Sequence, residues 1–320
     1  MVSLVSGETV AKGLDNNGHQ VLKMDPAAPE KVYTMTDEIY SGEIGELPIG
    51  EDVLLTPDKI ETILTSVPKY SVDLIFPMLH GGWGEDGRLQ AVFEIAGVPF
   101  VGSGSAASSL AMNKHLTKRV VSTEGVLTPE CFMLPREELP KLSELCLGFD
   151  FPLVIKPNTG GSSINVSIVK NEKSLKRAVS KAIKADEDLL VERYIPGREL
   201  TVGVLDGASM SVVETVPRDG FYDYKHKYTS GQSEYICPAE IDTGITTKCL
   251  ENASIAFNLL GCEIFGRVDF RLSKTGELHF LEVNTLPGMT EHSLVPKSAA
   301  ALGMTFEKLV NRIVVSSMNR

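Results

Sequence analysis

The sequence predicts an α/β protein of two or three domains, and three observations carry that expectation. At 320 residues the chain is too long for one small core. Across residues 1 to about 102, helix and strand signals alternate around Val72 to Leu79, which reads as a buried parallel strand. From Glu199 onward, polar and apolar residues alternate with period 2 in successive runs, the pattern of half-buried antiparallel strands.

Taken in order, Ser3 to Leu14 predicts a helix with Gly18 as its stop, and Val21 to Met24 a short strand. Lys31 to Gly50 has no clear period and reads as loop, while Asp58 to Thr65 reads as helix. The strand at Val72 to Leu79 ends in His80-Gly81-Gly82-Trp83-Gly84-Glu85-Asp86-Gly87, outside the carboxyl end of a strand, where open α/β sheets bind ligands. Val98 to Val101 is a further strand and Gly102 to Ser105 a linker. Phe151 to Ile155 is a strand leading into Lys156-Pro157-Asn158-Thr159-Gly160-Gly161-Ser162-Ser163. Such a loop is often an ordinary turn, but after a strand-borne lysine its free backbone N–H groups suit phosphate oxygens. Glu172 to Lys184 is an amphipathic helix, and Leu189 to Val191 a strand running into Glu192-Arg193-Tyr194-Ile195. Glu199 to Leu205 and Met210 to Val216 are antiparallel strands. Phe221 to Pro238 is a long polar segment, readable as a lid or as a tyrosine-rich partner contact. Thr246 to Leu260 is a helix stopped by Gly261, and an Ala-rich helix ended by Gly303 and a last helix from Thr305 close the chain.

Composition narrows the function classes. A net charge of −11 and an isoelectric point near 5.1 argue against nucleic acid as a partner, though not against a nucleotide held in a local basic pocket. No apolar run approaches the ~20 residues of a membrane span. The opening MVSLVSGETV has no basic region and no long apolar stretch, so it does not read as a signal peptide. The cysteines Cys131, Cys146, Cys237, Cys249 and Cys262 form no Cys-x-x-Cys and fit reduced thiols of the cytosol.

The most informative stretch is Gly266 to Ser293. Val268, Phe270 and Leu272 alternate with Arg267, Asp269 and Arg271, and the turn Lys274 to Glu277 would set Asp269 opposite Glu282. With Asn284 two residues on, three hard oxygen donors would stand side by side next to Arg267. Mg²⁺ takes a few carboxylates together with substrate phosphates, so this arrangement suits a Mg–nucleotide platform. For Glu-x-Asn alone, a solvated strand face is the commoner reading of so short a motif. The loop Asn284 to Thr290 adds weight, because it leaves the end of the acidic strand and delivers Ser293 to the same neighbourhood.

Arg-x-Asp followed by Leu-Glu-x-Asn-Thr-x-Pro-Gly-Met-Thr-x-His-Ser resembles the metal-binding end of an ATP-grasp ligase, and more narrowly of the D-alanine–D-alanine ligases. His80-Gly81-Gly82-x-Gly84-Glu85-Asp86-Gly87 is similar to that family's substrate loop, and the likeness extends over nearly the whole chain. It implies an α+β ATP-grasp: an amino-terminal substrate domain (1–102), a central subdomain (103–195) and a carboxyl-terminal subdomain (196–320), with ATP held between the last two. It further implies ligation of two D-alanines through an acyl phosphate, for peptidoglycan precursors, by a cytoplasmic homodimer. Two Mg²⁺ ions, replaceable by Mn²⁺, would lie on Asp269, Glu282 and Asn284. Lys114, Lys156 and Lys227 would meet the phosphates, and Ser162 the loop above them. Glu192, Arg193, Tyr194 and Ile195 would line the adenine pocket, with Glu199 facing the ribose. His80 would lie near the first D-alanine, and Ser293 with the Leu294 backbone would hold the carboxylate of the second. Arg267 and the Gly288 N–H are oxyanion donors, and Ser162 and Tyr228 stand around the amines, with Phe221 to Pro238 as the lid.

The resemblance leaves two alternatives. One is an ATP-grasp ligase with D-serine or D-lactate as second substrate, although Tyr228, where lactate-forming relatives tend to carry phenylalanine, argues against lactate. The other is a non-catalytic ATP-binding relative. The family pattern also begins with a strand, a glycine-rich turn and a substrate-contacting glutamate ahead of the Val-Ser-Leu that here is Val2-Ser3-Leu4. Without them, the chain as given is expected to bind the first D-alanine poorly and ATP normally, and residues 1–102 to be its least stable part.

Overall fold

A computed structural model describes residues 2–37, 39, 55–141, 150–161, 165–185, 187–217 and 233–320. The first helix, α1 (Val2–Asp15), ends at a turn completed by Gly18 at φ +85°. Strands β1 (Lys23–Met24) and β2 (Val32–Tyr33) pair antiparallel, so the segment expected to be loop from Lys31 carries a short strand at its start. Helices α2 (Pro57–Lys69) and α3 (Arg88–Ala96) follow, with Pro57 at the start of α2, where its missing N–H costs nothing.

The expected strand Val72 to Leu79 is reduced to one parallel bridge, Ile75 with Phe100. Ile75 donates to Pro99 O at 2.9 Å and accepts from Val101 N at 2.8 Å. The next rung of a parallel ladder would need the N–H of residue 77, and the preceding rung that of residue 99. Both are prolines and have none. Alternation of apolar residues does not register this loss of donors, which is why the expected strand fails to propagate.

Helices α4 (Ser105–Met112) and α5 (Lys114–Ser122) break at Asn113, whose side chain caps α5 by accepting from Leu116 N at 3.1 Å. The expected linker therefore stops at Gly104, one residue short. Two antiparallel sheets make up the rest. A four-stranded sheet runs β3 (Cys131–Leu134), β6 (Leu189–Arg193), β4 (Leu153–Pro157), β5 (Ser167–Val169), with α6 (Glu172–Ala185) packed on it through Leu175 and Ala178. A five-stranded sheet runs β11 (Leu278–Asn284), β10 (Phe265–Ser273), β7 (Gly197–Leu205), β8 (Ala208–Pro217), β9 (Ser233–Ile236).

Period-2 alternation becomes two-faced packing in the five-stranded sheet. Leu200, Val202, Val268, Phe270 and Phe280 point to one side, into a core shared with Phe257 of α7 (Thr243–Leu259). Each such side chain contributes about 1.5–3 kcal/mol on full burial. A second core joins the two ends of the chain: Val10 and Leu14 of α1 pack with Leu309, Val310 and Ile313 of α9 (Phe306–Met318), beside Val295 and Ala299 of α8 (Leu294–Ala300). Among the described residues, no helix is long and apolar enough to cross a membrane.

Candidate active site

Strand β10 is the spine of the site. Its pairing with β11 sets Asp269 opposite Glu282 and Arg267 opposite Asn284 as expected, although the turn is one residue longer than expected: Leu272 pairs with Leu278, and a bulge restores the register. The bulge lies at Leu281, while Phe280 stays paired with Phe270; on the outer side of this edge strand the Phe280 N–H reaches Leu127 O at 2.8 Å and its carbonyl accepts from Lys118 Nζ at 3.2 Å. On the other side, β7 sets Thr201 opposite Asp269. Thr201 Oγ1 donates to Asp269 Oδ1 at 2.7 Å, and Arg267 Nε to Oδ2 at 3.1 Å. Asn284 Oδ1 accepts from Leu286 N at 2.9 Å, which pins the start of the following loop and leaves this oxygen a second lone pair.

Facing this platform are two lysines. Lys156 lies on β4, and Lys114 opens α5, whose N-terminus is moored to β4: Lys114 N donates to Asn158 O at 3.1 Å and His115 N to Asn158 Oδ1 at 2.9 Å. Lys114 Nζ also donates to Gly160 O and lies 3.6 Å from Glu282 Oε2. Burial pushes the Lys114 ammonium below its ordinary range, Glu282 opposes that, and Lys156 adds to it. For Lys156, burial also works against the charge, but Glu192 and Glu282 outweigh it and its pKa is raised. Glu192 Oε1 sits 2.6 Å from Lys156 and Oε2 3.2 Å from Lys118. Burial alone would raise this carboxyl, and the two ammonium groups hold it below the ordinary range.

These groups enclose a cleft of ≈ 800 Å³ between the two sheets. Of the residues expected at the site, Lys114, Lys156, Glu192, Arg193, Tyr194, Ile195, Glu199, Asp269 and Glu282 line it together. Val154, Val166, Leu281, Tyr194 and Ile195 give it an apolar portion suited to a flat base. Glu199 is paired with Arg271 at 3.3 Å, and Arg271 also donates to Ile195 O at 3.2 Å and Gly197 O at 3.0 Å. Two glutamates expected to face the nucleotide are thus engaged with basic side chains.

Arg267 and Asn284 face each other on β10 and β11 without lining the cleft, while Gly288, Ser293, Leu294 and His80 gather at the Gly288 loop. Ser293 precedes α8 and its Oγ accepts from Thr290 N at 3.0 Å, while Leu294 is the first helical residue. A side chain at Gly288 would begin 3.3 Å from Ser293 Oγ. His80 is tied to α1: its N–H donates to Ser3 Oγ at 3.0 Å and its Nε2 lies 3.4 Å from Ser6 Oγ, which also accepts from Met289 N at 3.4 Å. Its Nδ1 lies 3.5 Å from Glu85. The histidine therefore stands beside the Gly288–Met289 loop. Ser162, Lys227 and Tyr228, and residues 221 to 232 of the segment expected to be a lid, lie outside the described residues.

Sequence reading overlooked Thr201, Arg271 and Lys118. Arg271 was findable, since it continues the face of Arg267 and Asp269. So was Lys118, one helical turn beyond Lys114 on the same side of α5.

Two family models match the chain: one described as D-ala D-ala ligase N-terminus over residues 1–103, the other as D-ala D-ala ligase C-terminus over residues 120–315. The chain belongs to the D-alanine–D-alanine ligase family. A relative named D-alanine–D-alanine ligase, from Syntrophotalea carbinolica, is 44% identical over 253 residues, covering 79% of this chain and 81% of the relative. Among solved structures, the D-alanine–D-alanine ligase of Bacillus anthracis complexed with ATP superposes with a TM-score of 0.66 at 30% identity, over 80% of this chain and 83% of that one. The VanG D-Ala:D-Ser ligase of Enterococcus faecalis superposes with a TM-score of 0.76 at 29% identity, over 99% of this chain and 95% of that one. The ATP-grasp fold expected of this ligase-family member is borne out by these likenesses.

Proposed function

We propose that this chain joins two D-alanines into D-alanyl-D-alanine, driven by ATP, as a step of peptidoglycan precursor synthesis in the cytoplasm, and that it works as a homodimer. The observation that carries the reading is one cleft with Lys114, Lys156 and the Gly160–Gly161 turn on one wall and the opposed carboxylates Asp269 and Glu282 on the other. An amine does not displace oxide from a carboxylate at neutral pH, so the carboxylate must first be activated. A carboxylate oxygen of the first D-alanine attacks the γ-phosphorus, ADP leaves, and an acyl phosphate forms. The amine of the second D-alanine then attacks the acyl carbon, loses a proton, and inorganic phosphate departs with the C–O bond electrons.

Phosphoryl transfer chiefly asks for positioning and charge neutralisation. Lys114, Lys156 and Lys227 serve the phosphates in this reading, with Ser162 in the loop over them. Glu192 to Ile195 hold the base and Glu199 the ribose. Asp269, Glu282 and Asn284 are a hard-oxygen set of the kind Mg²⁺ or Mn²⁺ accepts, and they would hold two ions that neutralise phosphate charge. Arg267 and the Gly288 N–H stabilise the oxyanion of the tetrahedral intermediate. Ser293 and the Leu294 N–H hold the carboxylate of the second substrate, His80 lies by the first, and Ser162 and Tyr228 orient the amines.

The likeness to the VanG enzyme supports D-serine as an alternative second substrate. The test measures phosphate release from ATP with D-alanine alone and with D-alanine plus D-serine or D-lactate, and identifies the product by mass. D-Alanyl-D-alanine from D-alanine alone is the expected result. Absence of any D-alanine-dependent phosphate release would sink the proposal, and preferential formation of the mixed dipeptide would move it to the serine reading.

A further inference from the structure

One buried cation next to the cleft has no part in the chemistry above. Lys118 lies on α5 and its side chain is 1% exposed. Its Nζ stands 3.2 Å from Glu192 Oε2 and 3.2 Å from the Phe280 carbonyl on the edge strand β11. The other oxygen of Glu192 is 2.6 Å from Lys156 Nζ. Lys118, Glu192 and Lys156 thus form a buried row of two cations and one anion. Glu192 and Lys156 line the cleft, and Lys118 is not among its lining residues.

One carboxylate cannot neutralise two ammonium groups, so the row carries a net charge of about +1. Where that charge is felt depends on what stands behind Glu192. With Lys118 in place, the anion is shared, and Lys156 keeps part of its charge for the cleft. With Lys118 removed, Glu192 and Lys156 become a neutral buried pair at 2.6 Å, and the cleft loses the charge. We propose that Lys118 is a positioning residue for the nucleotide: by holding Glu192 from behind, it leaves the charge of Lys156 to the polyphosphate of ATP. This rests on the reading that the cleft takes ATP.

A purely structural role would weaken every nucleoside ligand alike. A charge role weakens ligands in proportion to their phosphates, and that difference is the test. Calorimetric affinities for adenosine, ADP and ATP are compared in the parent chain, in Lys118→Met, and in Lys118→Gln, which keeps a donor for Glu192 and Phe280 O but has no charge. Both variants should lose about tenfold in ATP affinity, less in ADP, and under about twofold in adenosine. Lys118→Arg, which keeps the positive charge behind Glu192, should hold ATP affinity to within about threefold of the parent. Equal losses for adenosine and ATP, unchanged ATP affinity in Lys118→Met and Lys118→Gln, or a loss in Lys118→Arg as large as in Lys118→Met would each overturn the inference. Failure of all three variants to fold would assign Lys118 to stability and overturn it too. A parent chain that does not bind ATP would instead defeat the functional reading beneath it.

Discussion

Asp269 carries two hydrogen bonds that are not chemistry in themselves but decide where its carboxylate points, from Thr201 on one oxygen and Arg267 on the other. Hydrogen bonds to charged groups are worth about 1.5–3 kcal/mol, and partners that orient a metal ligand typically affect metal affinity about 10–100-fold. Thr201→Val keeps the shape and removes the donor. The Mg²⁺ concentration for half-maximal rate should rise about tenfold, with the melting temperature little changed; an unchanged Mg²⁺ dependence would separate Thr201 from the metal. Glu282→Gln should go further and abolish turnover while circular dichroism stays that of the parent, because Glu282 faces both the platform and Lys114. A rate within about threefold of the parent at saturating Mg²⁺ would remove the metal assignment. At this scale, legibility depended on distance along the chain. Asp269, Glu282 and Asn284 share a hairpin, where the turn after Leu272 and the bulge at Leu281 together set their register. Thr201 is 68 residues from Asp269 and meets it only through the β7–β10 pairing, which no local pattern encodes.

Among elements, the strands that alternation revealed and those it missed differ by place in the sheet. Glu199 to Leu205, Met210 to Val216 and Val268 to Leu272 all fall on β7, β8 and β10, the inner strands of the five-stranded sheet, where one face is uniformly buried. The missed strands β2, β3, β5 and β9 are all edge strands of two to four residues, largely half-exposed. A short, half-exposed edge gives period 2 too few residues to stand out. Glycine contacts were equally silent. Gly266 begins the run to Asp269 on β10, and a Cβ there would lie 2.8 Å from Phe257 Cε2 and 2.9 Å from Asn284 O. Helix α7 and strand β11 close on it from both sides, so neither has room to retreat cheaply. Gly266→Ala should therefore cost about 1–3 kcal/mol in denaturant unfolding. It should also lower turnover, since the displaced backbone is that of Asn284. Stability and rate both within error of the parent would show that the two elements can part without consequence.

On the scale of the whole molecule, His80 is positioned by a contact between the two ends of the chain. Helix α1 lies against α9: Val10 and Leu14 pack with Leu309, Val310 and Ile313, Asn17 Nδ2 donates to Glu307 O at 3.0 Å, and His19 Nε2 meets Asn311 Oδ1 at 2.8 Å. The same helix carries Ser3 and Ser6, which hold His80, and Ser6 also accepts from Met289 N. Both helices were legible from their own periodicity, but their mutual packing was not, because nothing local marks which apolar faces will meet. The contact is tightest at Gly13, where a Cβ would lie 3.0 Å from both Phe306 Cε1 and Val310 Cγ2. Gly13→Leu should force α1 away from α9 and carry Ser3, Ser6 and His80 with it. The cleft lining begins at Lys114 and includes no α1 residue, so nucleotide binding should be spared. The expected outcome is a several-fold rise in KM for D-alanine with KM for ATP within about twofold of the parent, and a stability loss of about 1–3 kcal/mol from overpacking. Gly13→Ala, whose single methyl asks for only a few tenths of an ångström from flexible side chains, should show the same split in weaker form. If KM for D-alanine stays put while stability falls, α1 supports the fold without setting His80. A rise in both constants by the same factor would mean that the displacement reaches the cleft, and that the two ends of the chain are coupled to the nucleotide as well.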